Sequence, residues 1–351
     1  MSTIILAGGG TAGHITPHLS IMPRLKKEFA GIYYIGSGKQ IEKNLMQPHV
    51  NEIFNVNPPA FIRSFTAKNL AIPFKLIKAV KDCEEYFKRV KPSIVFSKGG
   101  YCALPACLAA FNLNIPVITH ESDLSLGLAN KLIAKKCNAV LTTFKESGEG
   151  LKNAYYVGPL LREELFNKNK AQSKRSLGIN NDKPVLLVTG GSQGSQTINE
   201  ALRANIDEIL RHFNVIHLYG KQNKPIYNAI NGYFGFSFAD MPTAISACDM
   251  AISRGGSNTL FELVCTSTPS LIIPLKKASR GDQIKNAQYF ASKNTVLTAD
   301  ENELEKNLIP LIHKLYNQRQ DLINNMKKLN LQNGASKTVE IILQQAKKHP
   351  I

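Results

Sequence analysis

Two short apolar runs in this 351-residue chain each end in a cluster of glycines and then give way to a helical pattern. Ile4-Ile5-Leu6-Ala7 leads into Gly8-Gly9-Gly10-Thr11-Ala12-Gly13, with a helix expected from about Thr16 and Pro17 in its first turn. Val185-Leu186-Leu187-Val188 leads into Gly190-Gly191-Ser192-Gln193-Gly194, after which Ile198, Leu202, Ile206 and Ile209 recur at helical spacing. A strand that stops at a glycine turn and opens a helix is the start of a βαβ unit. One such opening per half predicts an α/β chain of two Rossmann-like domains, each with a parallel sheet, facing each other across a cleft.

The rest of the chain keeps the same alternation. Runs rich in Ile and Val at 3–7, 32–36, 52–56, 93–97, 116–120, 139–143 and 155–157 read as the first set of strands. Runs at 185–189, 214–219, 234–238, 249–253, 270–273 and 295–298 read as the second. The polar segment from Asn167 to Lys183 reads as a linker and helix start, and the chain from Leu304 is helical with Lys-rich faces. Gly99 to Thr119 carries no charge, but Pro105, Asn112, Asn114 and Pro116 break it, so a short buried helix followed by a strand is expected rather than a membrane span. The N-terminus runs directly into a strand with no secretory signal, and the six cysteines form no CxxC pair. Both observations fit free thiols in a reducing cytoplasm.

Charge narrows the partners. Lys and Arg total 43 against 26 acids, a formal +17 with a pI near 9.5. Such a balance suits an anionic bilayer, phosphorylated substrates or nucleic acid, or serves solubility alone. No aromatic-basic stacking motif supports nucleic acid, which is not an expected partner. Between Phe61 and Lys91, Phe61, Ile62, Leu70, Ile72, Phe74, Leu76, Ile77 and Val80 mix with Arg63, Lys68, Lys75, Lys78 and Lys81. Two readings stand: an interfacial patch on anionic lipid, or an amphipathic helix whose apolar stripe faces the core.

The glycine turns carry the chemistry. Gly8, Gly10 and Gly13 satisfy G-x-G-x-x-G, and such a turn lets backbone approach a phosphate or a sugar at a helix start. A dinucleotide site also wants an acid at the end of the second strand, which here ends Ile35-Gly36-Ser37-Gly38-Lys39. An NAD enzyme is therefore not expected, and only Lys39 speaks for NADP. His14 follows the turn at the carboxyl edge of the sheet, where an imidazole suits deprotonation of an alcohol, with His18 as its competitor. In the second half, Met250-Ala251-Ile252-Ser253 runs into Arg254-Gly255-Gly256-Ser257-Asn258-Thr259, a turn suited to a pyrophosphate. Glu262 lies one turn in, where it accepts from a ribose diol or merely complements the helix dipole. Beyond Pro274-Leu275, the residues Arg280-Gly281-Asp282-Gln283 and Asn286 suit the hydroxyls of a sugar, with Asp282 also a candidate helix cap. No D-x-D, HExxH or Cys/His cluster occurs, so no metal site is expected.

Taken together, these blocks resemble the MurG family of peptidoglycan synthesis. Gly9 to His14, Lys98-Gly99-Gly100-Tyr101, His120-Glu121-Ser122-Asp123, Gly190 to Gly194, Arg254 through Glu262, and Asp282-Gln283 through Asn286 stand in that family's order and spacing. The resemblance implies a GT-B fold with domains at 1–162 and 163–334, and a last helix, about 335–351, packing back on the first domain. It implies an inverting, metal-independent and cofactor-free transfer of N-acetylglucosamine from UDP-N-acetylglucosamine to the muramyl C4 hydroxyl of lipid I. Other GT-B activities, a diacylglycerol glycosyltransferase or a UDP-N-acetylglucosamine 2-epimerase, are the alternatives.

By motif, Ser192, Gln193, Ser257, Asn258 and Thr259 would lie at the diphosphate, Phe238 at the uracil, Glu262 at the ribose and Gln283 at the acetamido sugar. Thr11, Ala12, Gly13 and His14 would face the reacting centre, Arg162 would sit at a hinge near the donor, and the base would be His14 or Asp123. Arg63, Lys68, Phe74 and Lys75, with Gly99, Gly100 and Tyr101, would serve the acceptor and an anionic inner leaflet. The protein would then be peripheral on the cytoplasmic face of the cell membrane, with cell-wall synthesis proteins as further partners. Ala12 stands where the family commonly has glycine and Asp123 where it commonly has asparagine. The hinge reads Gly158-Pro159-Leu160-Leu161-Arg162.

Overall fold

The computed structural model describes residues 2–56, 72–191, 193–228, 230–276 and 281–348. Contacts divide the chain into two units, Met1–Arg162 with Asn333–Ile351, and Glu163–Gln332. Each is built on one parallel sheet.

In the first unit the strands are β1 (Thr3–Ala7), β2 (Gly31–Gly36), β3 (Glu52–Asn55), β4 (Ile94–Ser97), β5 (Val117–Glu121), β6 (Ala139–Thr142) and β7 (Ala154–Tyr156). They lie in the order β3-β2-β1-β4-β5-β6-β7, with Ile5 opposite Tyr33 on one side and Val95 on the other. The helices of this unit's first stretch are α1 (Ala12–Glu28), α2 (Gln40–Met46), α3 (Ile72–Val90), α4 (Ala103–Asn112) and α5 (Leu128–Ile133). Ile15, Ile21 and Leu25 of α1 and Met46 of α2 pack with Leu6, Phe96 and Ile118 on one face of the sheet. Cys83 and Phe87 of α3, Ala106 of α4 and Ile133 of α5 pack with Ile5, Val95 and Val140 on the other. A sheet covered on both faces needs apolar residues at every strand position, which is why these strands read as unbroken runs.

The second unit opens with α6 (Glu164–Asn167) and α7 (Lys170–Ser176), so the segment expected as a linker is already folded; Asn169 caps α7 by accepting from Gln172 N–H. Its strands are β8 (Val185–Thr189), β9 (Asn214–Leu218), β10 (Tyr233–Phe236), β11 (Met250–Ser253), β12 (Ser270–Ile272) and β13 (Leu297–Thr298), ordered β10-β9-β8-β11-β12-β13 and all parallel. Around them run α8 (Gln196–His212), α9 (Met241–Ala247), α10 (Ser257–Cys265), α11 (Asp282–Ala291) and α12 (Leu304–Lys328). Ile198, Leu202, Ile206 and Ile209 are the buried stripe of α8. The last helix, α13 (Ala335–Lys347), belongs to the first unit and adds Val339, Ile341 and Ile342 to the α1 face. Its entry is fixed by Gly334 N–H donating to the Pro159 carbonyl at 2.7 Å and by Asn333, which bonds both the N–H and the carbonyl of Leu161. A Cβ on Gly334 would fall 2.4 Å from the Val157 carbonyl oxygen, so only glycine fits.

Each expected strand region carries a strand, with ends trimmed or shifted by a residue or two. Helix α1 differs: it begins at Ala12 rather than Thr16, because Thr11 in extended backbone (φ −144°, ψ 158°) is the N-cap. Pro17 therefore sits one turn further in than expected, where it removes a single intrahelical N–H. Helix α3 divides the two readings of its segment. Ala79, Cys83, Tyr86 and Phe87 are core, while Phe74 and Ile77 near its start are 76% and 55% exposed beside exposed Lys75, Lys78 and Lys81. Phe61, Ile62, Arg63, Lys68 and Leu70 lie outside the described residues. All six cysteines are unbridged, Cys265 alone being only partly buried. Among the described residues no helix is long and apolar enough to cross a membrane.

Both cores contain a buried imidazole. His217 on β9 bonds Tyr233 Oη (2.8 Å) and Asn199 Oδ1 (3.0 Å), and burial lowers its pKa to about 4. His18 on α1 stands edge-on to Tyr34 and Phe96, and burial, with the Lys98 ammonium and His14, lowers it to about 3. Neither His18 ring nitrogen makes a well-formed hydrogen bond among the described residues, the nearby Ala7 carbonyl included. Since both pKa values lie below the unfolded 6.5, the unfolded chain binds more protons, and stability falls as pH drops through 6.5 towards 4. Each imidazole contributes a slope of up to about 1.4 kcal/mol per pH unit. Thermal unfolding should therefore shift down measurably between pH 7 and pH 5. A His217→Phe variant should show a shallower fall, and equal slopes would contradict this account.

Candidate active site

Open parallel sheets bind ligands above their carboxyl edge, where neighbouring strands send their connections opposite ways. In the first unit those neighbours are β1 and β4, and in the second β8 and β11. The turns that follow these four strands are Gly8–Gly13, Lys98–Tyr101, Gly190–Gly194 and Arg254–Gly256, the blocks singled out in the sequence.

The first turn is not the open phosphate cradle its glycines suggested. Glu42, fully buried on α2, accepts from Gly10 N–H (2.6 Å), Gly38 N–H (3.0 Å) and Ser37 Oγ (2.5 Å). Gly9 has φ +144°, and a Cβ there would fall 2.6 Å from Glu42 Oε1. Glu42 thus supplies the acid that strand β2 lacked at its end, and spends it on the protein's own backbone. A carboxylate in this place opposes a second anion, so the turn suits a neutral hydroxyl better than a diphosphate. Lys39 Nζ, the one feature favouring NADP, donates to the Gly10 carbonyl at 3.1 Å.

His14 lies in the first turn of α1. Thr11, the N-cap residue, makes no side-chain cap; its Oγ1 meets His14 Nδ1 at 3.1 Å. When Nδ1–H donates to that hydroxyl, the Nε2 lone pair is left for substrate. Gly100 (φ +79°) borders Nε2: a Cβ there would stand 3.3 Å away. One on Gly10 would stand 3.2 Å from the Tyr101 ring. Thr11, Gly13, His14, Gly100 and Tyr101 therefore share one wall, with Ala12 in the same turn. Burial first, then the Lys98 ammonium, lowers the His14 pKa to about 4; the ring keeps some contact with solvent, which softens the effect of burial. His18 points into the core and is no rival.

Behind this wall lie the residues after β5. Glu121 accepts from the N–H groups of Ser122, Asp123 and Gly127 and from Asn130 Nδ2, so its carboxylate shapes the loop. Asp123 is anchored through its carbonyl, which accepts from Ser147 Oγ at 2.8 Å. Lys98, 3% exposed, donates to Ser122 Oγ (2.6 Å) and contacts His120 Nδ1. Arg162 is the last residue of the first unit, half-buried beside the crossing to Glu163.

In the second unit, α10 starts at Ser257 after Gly256, which supplies no side-chain cap, and its first turn carries no acid. Nothing lies within 4 Å of a Cβ placed on Gly256. Ser257, Asn258 and Thr259 form the first turn, at the positive end of the helix dipole, with buried Glu262 just beyond. Arg254 is structural: it bonds Ile273 O (3.1 Å), Glu301 (2.8 Å) and Ser195 Oγ (2.7 Å), tying the turns after β8 and β11 together. Gln283 Oε1 accepts from Leu275 N–H at 3.0 Å, and Asn286 Nδ2 donates to the Gly255 carbonyl at 3.3 Å, so both brace the turn. The cap of α11 is Gly281 (φ +79°) and not Asp282, which opens the helix proper. Phe238 is 53% exposed, with Lys221 Nζ 5.9 Å from its ring centre. Gln193 is exposed; Ser192 and Arg280 lie outside the described residues. Glu42 and Glu301 escaped the sequence reading because neither belongs to a glycine block.

The Glycosyltransferase family 28 N-terminal domain matches residues 4–142, and the Glycosyltransferase family 28 C-terminal domain matches residues 185–342. The chain is 43% identical over 350 residues to a UDP-N-acetylglucosamine–N-acetylmuramyl-(pentapeptide) pyrophosphoryl-undecaprenol N-acetylglucosamine transferase of Clostridium botulinum (strain Kyoto / Type A2), covering 97% of this chain and 99% of that one. The protein of the same name from Clostridium tetani is 40% identical, with 97% of each chain covered. Among solved structures, Acinetobacter baumannii MurG aligns with a TM-score of 0.72 at 23% identity, covering 98% of this chain and 99% of that one.

Replacing Glu42 by Gln turns one of its acceptor oxygens into a donor that faces backbone N–H groups. The Glu42→Gln variant should lose about 1–3 kcal/mol of unfolding free energy in urea titration. An unchanged midpoint would mean that the carboxylate does not hold the turn.

Proposed function

Because the chain belongs to the MurG branch of glycosyltransferase family 28, we propose that it transfers N-acetylglucosamine from UDP-N-acetylglucosamine to the C4 hydroxyl of N-acetylmuramic acid in undecaprenyl-pyrophosphoryl muramyl peptide. The product, lipid II, feeds peptidoglycan synthesis. The observation that carries this reading is the near-full-length identity to the clostridial transferases of that name, running through both units.

Roles follow from the two carboxyl edges. In the second unit the open start of α10 receives the diphosphate, Glu262 accepts from the ribose hydroxyls, and the backbone around Phe238 takes the uracil. Gln193 and Gln283 approach the phosphates and the acetamido sugar. In the first unit His14 Nε2 takes the C4 hydroxyl proton as the new C–O bond forms at the anomeric carbon. UDP departs with the electron pair of the old bond, and the helix end offsets the charge it gains. The geometry favours His14 over Asp123 as the base, because only His14 lies beside the glycine turn with a nitrogen directed at Gly100. No metal or cofactor takes part in this scheme.

Transfer of labelled N-acetylglucosamine from UDP into a lipid I analogue, in excess EDTA, tests the whole reading; label that stays in the water phase would refute it. His14→Ala should lower kcat by ~10²–10⁴-fold with little change in UDP affinity. Glu262→Ala should do the reverse, weakening UDP binding by about 1.5–3 kcal/mol in calorimetric titration. Exchanged phenotypes would overturn the assignment of roles.

The acceptor's polyprenyl chain stays in the bilayer, so the first unit docks on the cytoplasmic face of the membrane. Exposed Phe74 and Ile77 of α3, with Lys75, Lys78 and Lys81, form one contact, and Leu128 and Leu132, 62% and 54% exposed around Lys131 of α5, form another. Each basic residue near an anionic surface is worth about 1 kcal/mol, and the attraction fades with salt. A variant with Lys75, Lys78 and Lys81 changed to Glu should fail to co-sediment with anionic vesicles while still glycosylating a soluble acceptor analogue. Binding equal to wild type would place the basic face elsewhere.

A further inference from the structure

Lys98 is a cation buried behind the reacting wall, and no step above uses it. It follows β4, and its backbone N–H donates to the Ala7 carbonyl at 2.8 Å, which pins it to the end of β1. A Cβ on Gly8 would stand 3.3 Å from Lys98 Cβ and 3.0 Å from His18 Nε2, so the lysine stem lies against the glycine turn. At its other end the ammonium donates to Ser122 Oγ and to His120 Nδ1. With Nδ1 accepting, neutral His120 carries its proton on Nε2 and donates it to Thr143 Oγ1 at 3.3 Å. Of the three imidazoles His14, His18 and His120, the last touches this charge directly, and all have their pKa lowered, by burial first and by Lys98 next.

We propose that Lys98 is a positioning residue of the transfer reaction: its buried charge holds His14 in the neutral form, and its hydrogen bonds tie the Ser122–Asp123 loop to the glycine turn. The other charged and titratable groups around His14 do not replace it. His18, on the same helix, is itself neutral. Lys39 and Glu42, from the α2 side, are committed to the Gly10 carbonyl and amide, and Tyr101 packs on Gly10. Glu121 and Asp123, from the β5 side, favour the charged form of Lys98 itself, whose pKa burial nevertheless lowers to about 8. Below that pH the ammonium persists, and a proton on His14 would meet a like charge in a site with little water.

The inference rests on the reading of His14 as the base, so the test has one arm that needs no turnover. His14 is titrated by NMR in the full-length protein, its signal assigned with His14→Gln. In wild type it should titrate below pH 5. In Lys98→Met it should rise towards the ordinary 6.5, and in Lys98→Arg it should stay low. In the second arm the acid limb of the kcat/KM profile should move up with it in Lys98→Met, and Lys98→Arg should restore it. A purely structural lysine would lower the rate at every pH without moving the limb, and that result overturns the proposal. So does a His14 titration that is the same in wild type and Lys98→Met. If Lys98→Met does not fold, wild type alone decides: titration near 6.5 overturns the idea. A normal rate in His14→Ala would instead refute the base while the NMR arm stood.

Discussion

Strand β1 of the first sheet and β8 of the second are each flanked by strands whose connections leave in opposite directions. That divergence opens the ground above their carboxyl ends, and a buried parallel sheet has no other place where several turns converge. The blocks that carry chemistry in this chain are those turns. Most of the rest follows from keeping the strands covered: apolar residues along them, helices on both faces, and buried polar side chains such as His217 and Thr119 hydrogen-bonded where they occur.

The two turns solve different problems with similar glycines. At the first, Glu42 consumes the amide of Gly10, and Thr11 gives up its capping role to hold an imidazole. The result is a wall that orients the His14 ring. At the second, α10 starts after Gly256 with no side-chain cap and no acid in its first turn. Arg254, at the head of the turn after β11, is occupied with Ile273, Glu301 and Ser195. Its charge ties that turn to the one after β8.

Much of this could be read from the chain. Strand positions were clear because two-sided burial leaves an unmistakable apolar run, and the glycine blocks fixed the turns. The start of α1 was misread because Pro17 looks like a first-turn residue, whereas the true cap, Thr11, betrays itself only by its backbone angles. Glu42 was invisible, since a carboxylate that returns from a later helix to an earlier turn leaves no trace in spacing. Lys98 was quoted only as part of a motif; nothing in a sequence tells a buried ammonium from a solvated one. The segment of α3 was ambiguous for a sound reason: one half of the helix belongs to the core and the other half to the surface.

Gly334 packed on Val157, with Asn333 clasping Leu161, has a consequence for synthesis of the chain. The first sheet is complete when Tyr156 leaves the ribosome, yet the α1 face still lacks Val339, Ile341 and Ile342. That face, covered by α1 and α2, lacks its third helix while the second unit is translated. The first core therefore receives its last helix only after residues 163–332 have been made.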